Sequence, residues 1–186
     1  MNQLINLLKN QTIESHKWID TLITDFPKEK WFETPKIVDS NIAWQIGHLT
    51  LSVYYYNVVL IGSPLEDISN KIGLKKYSEF FVGSDKKTEL ENHFTVDVLL
   101  ENWNFLKMKS IEFIAKLNDK DIDLDIFKLP KEHPFAKSKL DAISWNIKHS
   151  MWHCGQMATI TRIIDKPFDI TTRNPIKTEF EMKENG

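Results

Sequence analysis

The sequence predicts an all-α protein, a four-helix bundle, and three observations carry that reading. Apolar residues recur at three- and four-residue steps along most of the chain, capping residues stand where those segments begin, and no period-two run is long enough to require a sheet. At 186 residues the chain has the length of one domain, or of one domain with a tail.

The first helix rests on Leu4, Ile5, Leu8, Ile19, Leu22, Ile23 and Phe26, and Pro27 ends it. A second is expected from the N-cap candidate Ser40 through Gly62, with Pro64 beyond. A third opens at Thr95 and runs to about Leu117. The fourth starts at Ser138, with Asp141 in the reciprocal capping position, and continues to about Asp165 before Pro167. Four long amphipathic helices in one small chain pack as a bundle. Their connections are uneven, and the second (residues 62–93) holds enough apolar residues for short extra helices. Long connections permit crossovers, so simple up-down-up-down order is not required. Residues 1–166 form the expected bundle domain and residues 167–186 a polar C-terminal tail.

Composition excludes several functions. With 24 Lys and Arg against 26 Asp and Glu, the net charge of −2 lacks the basic excess a nucleic-acid binder needs. One cysteine cannot form an intramolecular disulfide, so a reducing cytoplasm is the expected compartment. The stretch Leu49 to Ile61 is broken by Thr50, Ser52 and Asn57 and is too short to cross a bilayer, and MNQLINLLKNQ has no basic targeting region.

Six histidines are left to explain. His149 and His153 stand four apart in the fourth helix, so both imidazoles lie on one face and can reach one ion. Their stripe is Ala142, Trp145, His149, His153, Gln156 and Ile160, apolar but for the histidines and one amide. Two imidazoles in such a stripe need either a metal or hydrogen-bonded core partners. In the second helix His48 shares a polar and aromatic face with Asn41, Trp44, Gln45, Ser52 and Tyr55. It is a third ligand candidate or a histidine on a helix shoulder.

Two better-known metal sites do not fit. Zincin proteases place Glu directly after the first histidine, where this chain has Ser150. Di-iron bundles need Glu-x-x-His, but Gln45 and Asn146 stand three residues before His48 and His149, and Ser150 before His153.

The segment His149-Ser150-Met151-Trp152-His153-Cys154-Gly155-Gln156, with His48 in IGHL, resembles the DinB/YfiT-like superfamily of metal-dependent bacterial proteins. Members share a four-helix bundle in up-down-down-up order, with one histidine on the second helix and an H-x-x-x-H pair on the last. The resemblance spans roughly residues 1–166 and implies His48, His149 and His153 as ligands of one divalent metal ion. Zinc or nickel leads, with iron and copper as alternatives, since imidazole suits all four. Characterised relatives include transferases and isomerases that use low-molecular-weight thiols, and dimers are common. The resemblance therefore implies a small-molecule substrate, a thiol partner and a homodimer. It leaves two readings: a metal-dependent transferase or hydrolase, and a non-catalytic metal-binding or dimerising bundle with a stress-response or ligand-binding role.

Three neutral imidazoles leave a metal with an open position, the arrangement of a catalytic site. Gln156, Trp44, Gln45, Ser52 and Trp145 are candidates for the surroundings of the site, and His16 for a second-layer group or a plain core histidine. His93 and His133 are expected to be solvated. Cys154 points about 100° away from the ligand face and is expected to be a packing residue. Gly47 and Gly155 lie inside helices, where glycine costs about 1 kcal/mol relative to alanine, so each marks either close approach beside the site or a helix crossing.

Overall fold

Helix α1 (Gln3–Thr24) buries Ile5, Leu8, Thr12, His16, Ile19 and Ile23, a stripe at helical spacing. Its first turn is held from far along the chain, where Asp119 Oδ1 accepts the Ile5 N–H at 3.0 Å. The computed structural model describes residues 2–83, 87–128 and 133–169. Among these the protein is all-helical, with six α-helices, no strand and one isolated bridge between Asp125 and Ser138. The expected tail falls outside the described residues beyond Asp169. No helix of the described residues is long and apolar enough to cross a membrane.

The other three long helices begin at side-chain caps. Helix α2 (Ile42–Tyr54) is capped by Asn41, whose Oδ1 accepts the Trp44 N–H at 2.8 Å. Asn41 thus takes the place expected for Ser40, whose hydroxyl instead accepts from Gln45 Nε2 at 2.8 Å. Two short helices, α3 (Glu66–Ile72) and α4 (Leu74–Phe81), fill the second connection, as its apolar content predicts. They join at Gly73, where φ is +66°, a conformation that favours glycine. Helix α5 (Val96–Ala115) starts at Thr95, and α6 (Lys139–Ile164) at Ser138 with Asp141 completing the capping box.

One departure from regular helix matters for the site. After Tyr54 the chain widens into a π-helical turn, Tyr55–Val59, with the Leu60 N–H donating to the Tyr55 carbonyl at 2.9 Å. Such turns occur mostly as single insertions and often at functional sites. No glycine or proline in YYNVV signals it.

Helix α1 packs on α5 and α6, and α2 packs on the same two and on α4. Two apolar clusters result, one around Ile19, Ile46, Leu49, Phe81, Trp103 and Met157, the other around Ile5, Leu60, Ile114 and Ile143. The α2–α6 seam carries the three motif histidines.

The two helical glycines part company. A Cβ on Gly47 would lie 2.2 Å from Phe81 Cε1, so glycine lets the end of α4 press against α2. Gly155 is exposed, and a Cβ there would meet nothing within 4 Å. Gly47→Ala should therefore destabilise the protein by about 1–3 kcal/mol through overpacking. Gly155→Ala should leave it unchanged or up to about 1 kcal/mol more stable. Urea denaturation midpoints of the two variants check the contrast, and equal midpoints would refute it.

Candidate metal centre

On α2, His48 and Ser52 stand one helical turn apart, and on α6 so do His149 and His153, so the two faces meet across the seam. The three imidazoles converge, with His149 Nε2 lying 3.0 Å from His153 Nε2 and 3.4 Å from His48 Nε2. Trp44 stacks on His48 with ring centroids 4.8 Å apart, and Trp145 lies parallel to His149 at 6.1 Å.

Hydrogen bonds at the far side of each ring decide which nitrogen faces inward. His48 Nδ1 lies 2.7 Å from the Phe81 carbonyl oxygen, which can only accept, so the proton is on Nδ1. His153 Nδ1–H donates to Gln45 Oε1. The Gln45 amide is oriented by its other end, since Nε2 donates to Ser40 Oγ and to Gln156 Oε1, each at 2.8 Å. His149 Nδ1 lies 2.9 Å from Ser52 Oγ, and Ser52 donates its own proton to Asn146 Oδ1 at 2.9 Å. Ser52 Oγ is therefore the acceptor, and His149 too carries its proton on Nδ1.

All three Nε2 lone pairs then point at one another with no proton between them. That arrangement is repulsive unless a cation sits at the centre, and it suits one. Two imidazole nitrogens about 2.05 Å from a tetrahedral ion lie about 3.3 Å apart, close to the observed spacings. No Asp, Glu or Cys among the described residues joins the three histidines in the cluster.

Protonation agrees with this. Burial pushes His149 down to about 4, with the charge of a protonated His48 as a lesser cause. Burial pushes His153 down to about 3, helped by His149 and His48. His48 is also lowered by burial, against an opposing pull from the Phe81 carbonyl. Near neutral pH the rings are uncharged, the form that ligates metals.

A model of the DinB superfamily matches residues 11–157, a span that includes both histidine-bearing faces. The chain belongs to the DinB superfamily. Comparisons with curated proteins and with solved structures return no match.

In this DinB-superfamily chain the candidates named from sequence divide by location. Gln45 and Ser52 hold the His153 and His149 rings, Gln156 holds Gln45, and Trp44 and Trp145 flank the histidines. His16 is not among them. It is buried against Trp103 of α5, ring centroids 5.2 Å apart, and neither nitrogen has a hydrogen-bond partner among the described residues. Cys154 is buried in the apolar core, and burial pushes its thiol up to about 12, as a packing residue requires.

Sequence reasoning missed Phe81, Asn146 and Tyr56. The role of Phe81 is played by its backbone carbonyl, for which no residue type is a signal. Asn146 could have been found, being a polar residue on the buried side of α6 three positions before His149. His133, expected to be solvated, is half-buried beside Tyr56, with Tyr56 Oη 3.3 Å from its Nε2.

His16 yields a pH prediction. Burial lowers it from 6.5 to about 3 in the folded chain, with the Lys107 charge adding to the effect. As pH falls, the unfolded chain takes up this proton first. The His16 contribution to stability is thus whole above about 6.5 and is lost at up to about 1.4 kcal/mol per pH unit towards 3. In the metal-free protein, His16→Phe should remove that part of the acid slope, as read by urea unfolding at pH about 7 and about 4.5. Equal slopes in variant and wild type would contradict the assignment.

Proposed function

We propose that His48, His149 and His153 hold one divalent cation and that the protein is a metal-dependent enzyme acting on small molecules, with a low-molecular-weight thiol as the nucleophilic partner. The observation that carries this reading is the inward convergence of three unprotonated Nε2 atoms, each ring aimed by a different acceptor. Three protein ligands rather than four favour a site open to substrate. Zinc and nickel lead as the ion, and iron and copper suit the same donors.

A divalent cation so held lowers the pKa of a coordinated thiol or water and supplies a nucleophile at neutral pH. The protein's own residues keep the ring orientation through Phe81, Ser52 and Gln45, and burial keeps the rings neutral. With no carboxylate of the described residues in the cluster, those residues offer no built-in base there. Trp44 and Trp145 flank the ligand rings with apolar surface, which strengthens electrostatic interactions at the centre.

We read the four long helices as an up-down-down-up bundle. Its support is in the helix ends: the start of α1 meets Asp119 beyond α5, Lys30 beyond α1 reaches Ile164 at the end of α6, and Gln45 and Ser52 of α2 meet Gln156 and Asn146 of α6 in reverse order. The single cysteine fits a reducing cytoplasm.

Elemental analysis of protein purified without chelators tests the site. Wild type is expected to hold about one equivalent of metal, and His48→Ala, His149→Ala and His153→Ala to lose most of it. Gln45→Ala, which frees the His153 ring, should weaken metal binding about 10- to 100-fold. Metal content unchanged in all three histidine variants would overturn the assignment. Conjugation of a thiol to a panel of electrophiles by the metal-loaded protein tests turnover, and its absence would favour a non-catalytic metal-binding role.

A further inference from the structure

A cavity of about 440 Å³ opens beside the histidines, lined by His48, Leu51, Tyr55, Tyr56, Leu74 and Phe81 among others. Its wall is chiefly apolar. Tyr56 is a polar exception, and it stands in the π-helical turn that the sequence did not announce.

The hydrogen bonds around Tyr56 determine what its hydroxyl can do. His133 Nδ1 accepts the backbone N–H groups of Phe135 at 3.1 Å and Ala136 at 3.0 Å. A neutral imidazole that accepts at Nδ1 carries its proton on Nε2, so His133 donates to Tyr56 Oη across 3.3 Å. One acceptor position of Tyr56 Oη is therefore filled by His133. Its own proton has no acceptor among the described residues, and Tyr56 is part of the cavity wall. The group also lies close to the centre, since the Tyr56 and His149 ring centroids are 6.5 Å apart.

We propose that Tyr56 donates a hydrogen bond to an oxygen atom of the molecule bound beside the metal, and that this molecule carries its oxygen on an apolar body. His133 is a positioning residue: by donating to Tyr56 Oη it leaves the hydroxyl proton free for the bound molecule. The inference rests on the metal reading above, and it narrows the substrate to oxygen-bearing apolar compounds such as carbonyl, epoxide or carboxylate species.

Cobalt-loaded protein, titrated with acetate and with benzoate and followed by visible absorption, supplies the test. Benzoate should bind more tightly than acetate, because the ring enters the apolar cavity. Tyr56→Phe should retain full cobalt content while losing about tenfold in affinity for both anions. His133→Ala should also weaken binding, and His133→Gln should restore it, because an amide accepts the two backbone N–H groups and still donates to Tyr56. A loaded Tyr56→Phe protein that binds benzoate as wild type does would overturn the role of Tyr56. Cobalt spectra that do not respond to His149→Ala would instead overturn the metal reading beneath it.

Discussion

A neutral imidazole has one proton and two nitrogens, so committing the proton to one side leaves a bare lone pair on the other. In this protein that choice is made three times, always with Nδ1 as donor, through the Phe81 carbonyl, Ser52 Oγ and Gln45 Oε1. Everything distinctive about the centre follows from those bonds. They set the tautomers, aim the rings and leave three Nε2 atoms 3.0–3.4 Å apart along the cluster. Each acceptor is itself restrained, Ser52 by Asn146 and Gln45 by Ser40 and Gln156, so ring orientation is settled before any ion is bound.

The fold serves these anchors at some cost to its own stability. Phe81 reaches His48 because Gly47 lacks the Cβ that would strike its ring, and glycine there gives up helix propensity. Buried polar groups extend beyond the centre. His16, Asn57 and Ser150 have side-chain atoms without protein partners, and along the chain they fall between members of the two apolar clusters. Ser150, Asn146 and His149 share one stretch of α6, so the polar interior and the histidine centre interrupt the same helix. Burial without a partner is unfavourable, and acid exploits it at His16.

Local signals in the sequence were strong where they arise within one helix. The Ser138–Asp141 capping box, the Thr95 cap and the apolar stripe of α1 depend only on near neighbours, and all three are found in the structure. The His149–His153 pair belongs to the same class, since four-residue spacing puts two side chains on one face whatever surrounds them. Cys154 followed from the same geometry. Boundaries fared less well, because Ser40 and Asn41 are both good caps and packing against Phe32 and Thr34, which accept from Asn41 Nδ2, selects between them. The π-helical turn at Tyr55–Val59 was illegible for a similar reason: its residues are ordinary helix material.

By itself the sequence determined the helices, the two faces that carry His48 and the His149–His153 pair, and the absence of carboxylates beside them. Those properties follow from residue type and period, and they carried the resemblance that the family match bears out. Only the tertiary structure decided which ring nitrogen faces inward, that a backbone carbonyl of α4 anchors His48, and that His133 meets the Tyr56 hydroxyl. Residue identity cannot encode these outcomes, because each depends on the direction of a donor or acceptor brought from a distant part of the chain. A histidine in a sequence is a potential ligand; the partner on its far nitrogen decides where its lone pair points.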